Sequence, residues 1–136
     1  MISKSELAAK IDHTLLSPAA CTKDYVQLCS QASEYSFYSV CVPSSWLQVC
    51  KGLLGTSHVK LCTVVGFPFG YCLTEAKVRE AEASIEAGAQ EIDMVLNISK
   101  FKDGDTSAAE ADVAAVVKIA GGQAPVKVII ETALLN

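Results

Sequence analysis

Glu91-Ile92-Asp93-Met94-Val95-Leu96-Asn97, together with Lys127-Val128-Ile129-Ile130-Glu131-Thr132, is the sequence whose reading decides the fold. In each segment apolar side chains hold one set of alternate positions: Ile92, Met94 and Leu96, then Val128 and Ile130. The other set holds Asp93, Val95 and Asn97, then Lys127, Ile129 and Glu131. Successive strand residues point to opposite faces, so each strand has one apolar face and one that mixes charge with aliphatic groups. An open parallel sheet lies under helices on both sides and needs two apolar faces. A parallel barrel needs an apolar outside against its helices, while polar side chains inside can meet near an active site.

Working outward, the same strand-then-helix unit recurs. A short leading helix spans 3–9. Strands are expected at 11–16, 39–42, 60–65, 91–96 and 127–132. Helices are expected at about 23–35, with Val26, Cys29, Ala32 and Ser33 near one face, and then to about 54, at 74–87 and at about 107–120. Thr22, Ser44 or Ser45, and Thr74 are the expected helix caps. Gly88 and Gly121-Gly122 supply left-handed stops. Strands separated by helices of this length imply parallel pairing through right-handed crossovers. Neither G-x-G-x-x-G nor G-x-x-x-x-G-K-[ST] occurs, so no nucleotide-binding fingerprint favours an open doubly wound sheet. No linker or low-complexity stretch interrupts residues 1–136, which read as a single domain. A closed barrel of this kind has eight strands and about 250 residues. The expectation is therefore α/β: a truncated (β/α)8 TIM barrel of about five βα units with a short leading helix, the N-terminal portion of such a barrel.

Composition narrows the function. The 136 residues are 51% hydrophobic and 19% charged, with net charge −4. Arg79 is the sole arginine and the lysines are scattered. This is not a nucleic-acid surface, which clusters its basic groups. No apolar run approaches the ~20 residues of a membrane span, and the N-terminus lacks the apolar core of a signal peptide. Six cysteines occur without a C-x-x-C pair, and His13 and His58 stand at no zinc-finger spacing from them. The expectation is a cytoplasmic protein with reduced, mostly buried thiols, needing neither metal nor cofactor.

Five segments carry a family resemblance. Ile11-Asp12-His13-Thr14-Leu15-Leu16, Ser39-Val40-Cys41-Val42, Gly66-Phe67-Pro68-Phe69-Gly70, Glu91 to Asn97 and Lys127 to Thr132 occur in an order and spacing that resembles deoxyribose-phosphate aldolase. The resemblance covers essentially the whole chain. It implies a (β/α)8 barrel that reversibly cleaves 2-deoxyribose 5-phosphate to glyceraldehyde 3-phosphate and acetaldehyde, in deoxyribonucleotide catabolism. The reaction runs through a lysine Schiff base and uses no metal.

Carbon–carbon cleavage beside a carbonyl needs an electron sink, and an iminium formed with a partly neutral lysine provides one. It also needs a positioned group to move protons. The resemblance makes Asp93 that proton donor and acceptor, with Asp12, Cys41 and Lys127 in support. By strand position alone Lys127 is the nucleophile candidate, with Lys60 the other inward lysine. The resemblance instead makes Lys127 a supporting charge and puts the Schiff-base lysine on a sixth strand, in a segment these residues do not contain. The late loops that grip the substrate phosphate are likewise not among them. The 136-residue polypeptide is therefore expected to be inactive as an aldolase. The alternative is a non-catalytic half-barrel that self-associates as a dimer or higher homo-oligomer.

Overall fold

The computed structural model describes residues 2–135. The elements follow in strict alternation. Helix α1 spans Lys4–Ala8, β1 Asp12–Thr14, α2 Thr22–Tyr35, β2 Ser39–Val42, α3 Leu47–Leu54 and β3 Lys60–Val65. Helix α4 spans Thr74–Glu86, β4 Glu91–Val95, α5 Ile98–Lys102, α6 Thr106–Ala120 and β5 Val126–Ile129. Short 3-10 turns at Ser44–Trp46 and Thr132–Leu134 complete the set. All strand pairs are parallel, in the order β1-β2-β3-β4-β5. A doubly wound sheet reverses its strand order at a switch point. This one never does, so each unit adds to the same edge, as in a barrel wall.

The two faces of the wall divide as the alternation requires. Val40, Val42, Leu61, Val65, Ile92 and Met94 point outward into the main core, which they share with Tyr25, Leu28, Leu47 and Ala81 from the helices. Fully burying side chains of this size contributes about 1.5–3 kcal/mol each. Cys41, Cys62 and Val64 form a second cluster on the concave face, flanked by Leu16 and Ile129.

Several local expectations shift. β1 is shorter than 11–16, because Leu15 and Leu16 lie beyond the last paired residue. β5 ends at Ile129, and Glu131 takes a left-handed φ of 48°, which turns it out of the strand. Asn97 also leaves the inward face. It caps α5, a short helix that periodicity did not indicate, by accepting from the Lys100 amide at 3.4 Å. In α2 the buried residues are Tyr25, Leu28, Cys29 and Ala32, whereas Val26 and Ser33 are exposed. Cys21, not Thr22, is the α2 cap, and its amide donates to Asp24 at 2.8 Å. Ser44 and Ser45 sit inside the 3-10 turn, and Leu73 takes the cap position of α4 without a side-chain bond. Gly121 ends α6 in the left-handed region, as expected.

Gly70 fixes the loop after β3. At φ +71° a side chain is strained, and a Cβ would stand 2.1 Å from the Leu96 carbonyl oxygen. The loop therefore lies directly against the end of β4. Between α4, α6 and the sheet, Lys77 is fully buried. Its ammonium donates to Asp112 at 2.5 Å and to the Val95 carbonyl at 2.9 Å.

Candidate active site

The concave face gathers its charges around one ammonium. Lys127 is the Cα partner of Asp93 in the β4–β5 register, so the two side chains emerge side by side on the same face. Lys127 Nζ lies 3.2 Å from Asp93 Oδ1 and 2.7 Å from Glu91 Oε1, and it donates to Asp12 Oδ2 in a very short hydrogen bond. Asp12 belongs to β1 and Lys127 to β5. The wall is thus curved enough for the first and fifth strands to meet across its hollow.

Each carboxylate is held from behind. Asp12 Oδ1 accepts from Ser39 Oγ at 2.6 Å, from the neighbouring strand position. Glu91 Oε2 accepts from the Tyr38 hydroxyl at 2.8 Å, and that hydroxyl accepts from Lys60 Nζ at 2.9 Å. Asp93 is held least. Its buried Oδ1 has no hydrogen-bond donor among the described residues, although the Lys127 charge stands nearby.

The electrostatics follow. Burial pushes the Asp93 carboxyl above the ordinary aspartate range, and this outweighs the pull of Lys127 and of the Cys62 thiol. Burial pulls the Lys127 ammonium down, but its contacts with Asp12, Glu91 and Asp93 more than offset that, and its pKa is raised. A lysine attacks a carbonyl only in its neutral form. Three carboxylates keep Lys127 protonated, which fits a charge that orients Asp93 and not a nucleophile.

All four sequence-derived site residues face the same hollow, with Cys41 buried next to Cys62 and Asp93. Sequence reasoning missed Glu91, Tyr38, Ser39 and Cys62. Three of these had a signal. Glu91 stands two residues before Asp93 and shares its face, Ser39 likewise precedes Cys41, and Cys62 shares the face of Lys60. Tyr38 precedes its strand, and no pattern marks it. Glu131, counted on the sequence as an inward acid, lies beyond the end of β5 and is exposed.

No family model matches the sequence. Curated relatives do. The deoxyribose-phosphate aldolase of Mycoplasmopsis pulmonis is 50% identical over 131 residues, 96% of this chain and 59% of that protein. A crystal structure of a putative deoxyribose-phosphate aldolase from Coccidioides immitis superposes with a TM-score of 0.95 at 34% identity, covering 99% of this chain and 53% of that one. The tetrameric deoxyribose phosphate aldolase of Aeropyrum pernix superposes with a TM-score of 0.89 at 38% identity, covering 98% and 56%. By sequence and by fold the chain is similar to the deoxyribose-phosphate aldolases, and it spans about three-fifths of the length of the curated relatives it matches.

Proposed function

We propose that these residues form the proton-handling side of a Schiff-base aldolase site acting on 2-deoxyribose 5-phosphate. Asp93 takes the proton from the sugar hydroxyl as the carbon–carbon bond breaks, and it serves the enamine carbon in the following step. Lys127 keeps Asp93 oriented and opposes the upward push that burial gives its carboxyl. Asp12 and Glu91 keep Lys127 charged, and Cys41 shapes the wall beside them. The observation that carries this reading is the registered Asp93–Lys127 pair on the concave face, with Asp93 Oδ1 against the Lys127 ammonium at 3.2 Å. The imine-forming lysine and the phosphate grip belong to barrel strands outside these 136 residues.

The test joins residues 1–136 to the part of the Mycoplasmopsis pulmonis relative that the match leaves uncovered. The chimera should cleave 2-deoxyribose 5-phosphate. Borohydride with acetaldehyde should fix the aldehyde on a lysine of the added part and on none of residues 1–136. A folded but inert chimera, or selective reduction at Lys127, overturns the reading. The 136-residue polypeptide alone should trap no aldehyde above the background of its surface amines.

Self-association is the second part of the proposal. Among the described residues β1 and β5 are the edge strands of the sheet, and edge strands invite pairing. Leu16 and Ile129 line the hollow between them. A two-fold dimer covering both is the simplest remedy. Sedimentation should give at least a dimeric mass, and a monomeric mass across the micromolar range would refute it.

A further inference from the structure

Two thiols and a carboxylate meet on the concave face, one from each of three consecutive strands. Cys41 on β2 and Cys62 on β3 are Cα partners, and Asp93 follows on β4. The two sulfurs and an Asp93 carboxylate oxygen all lie within 4.8 Å of one another. Zinc binds thiolate at about 2.3 Å and carboxylate at about 2.0–2.2 Å, so ligand atoms around a tetrahedral ion stand roughly 3.3–3.8 Å apart. Side-chain rotation about fixed strands closes that gap. We propose that Cys41, Cys62 and Asp93 form a binding site for a soft divalent cation of the zinc and cadmium type, with the fourth position open to the hollow.

Three observations support it. The thiols are held only loosely: Cys62 Sγ lies 3.8 Å from the Thr63 carbonyl oxygen and within 4.8 Å of Cys41 and Asp93. Asp93 Oδ1 is buried and accepts no hydrogen bond among the described residues, so a metal bond can take the place of its 3.2 Å ion pair with Lys127. The surroundings favour a cation, because Asp12, Glu91 and Asp93 outnumber the one ammonium they share. Thiolate sulfur selects zinc-like ions over magnesium or calcium. Binding is an exchange. Two metal–sulfur bonds and one metal–oxygen bond form, the Cys41 and Cys62 protons pass to solvent, and Lys127 gives up Asp93 while keeping Asp12 and Glu91.

The site itself is independent of the aldolase reading. Its consequence, reversible inhibition by removing Asp93 from proton transfer, rests on that reading.

The experiment titrates cadmium into the chain carrying C21S and C72S, which removes the two exposed thiols. The thiolate-to-cadmium charge-transfer band is the readout. One cadmium per chain is expected. C41S and C62S should each weaken binding by more than the ~10–100-fold typical of losing a supporting contact around a metal, and D93N should weaken it by ~10-fold. D93N carries the decision if a buried-thiol variant fails to fold, since Asp93 is partly exposed. An unchanged affinity in D93N would place the ion on the other buried thiol pair, Cys29 and Cys50, and overturn the proposal. So would the lack of any band at saturating cadmium. Binding to the chain without inhibition of the chimera would leave the site standing and remove the aldolase role of Asp93.

Discussion

Replacing Asp93 by Asn in the chimera should lower kcat by ~10²–10⁴, with KM changed little. That range is the usual contribution of a positioned acid–base group. Asn keeps the shape and can still contact the hollow, but it cannot carry the proton, so the loss belongs to the chemical step and not to binding. The loss should come without a fall in stability. The folded-state pKa of Asp93 lies above its ordinary value of 3.8, chiefly because the group is buried. Between those two values the folded state binds more protons than the unfolded one, so this group's contribution to stability falls as pH rises through that window. Asn removes that cost. Thermal unfolding of D93N at neutral pH should therefore match or exceed that of the parent, and a large drop would mean that Asp93 is structural.

Lys127 gives a companion test. Its charge holds Asp93 down against burial. In K127M the Asp93 carboxyl should rise further, moving the acid limb of the pH–kcat profile to higher pH with the maximum only moderately reduced. An acid limb left in place would separate Lys127 from proton transfer. Lys127 titrates in the opposite sense. Its folded pKa is raised, so its stabilising contribution is present below the ordinary lysine value of 10.5 and disappears only as pH rises beyond it. It remains a fixed charge at neutral pH.

The period-2 pattern of β4 and β5 carried most of the architecture. Once Asp93 and Lys127 are placed opposite the aliphatic face, the inward and outward sides of every strand follow, and Cys41 falls into place with them. The ends of elements were harder, for a physical reason. Asn97 and Glu131 continue the alternation on paper, but one caps a helix and the other adopts a left-handed turn. Both choices are made by the chain beyond the strand. The helix-facing side of α2 was misread around Val26 because Tyr25 packs on Trp46, a contact from another element that no local period reports. The bonds behind Asp12 and Glu91 were invisible for the same reason, although Ser39 shares the strand face of Cys41. Ser39 and Tyr38 join the site through hydrogen bonds spanning 27 and 53 residues.

The buried Lys77–Asp112 pair is where stability should be most sensitive. Asp112→Ala removes the carboxylate paired with a fully buried ammonium, and breaking a buried pair from one side costs about 3–5 kcal/mol. Lys77 also ties α4 to the Val95 carbonyl, two residues beyond Asp93, and its stem fills the space beneath Gly66, where an added Cβ would meet Lys77 Cε at 2.8 Å. The damage should thus spread from the helix layer to the end of β4 and the loop after β3. In hydrogen exchange, amides of β4 and of residues 66–70 should lose protection in D112A before those of α2. The pair is nonetheless an imperfect solution, since Asp112 Oδ1 has no hydrogen-bond partner among the described residues. The double variant K77M/D112L exchanges both charges for apolar groups of similar size, and such replacements are often neutral or stabilising. It should regain most of the stability lost in D112A, as read by urea denaturation. If it stays as unstable as D112A, the bond from Lys77 to Val95, and not the ion pair, is what holds α4 and α6 to the barrel wall.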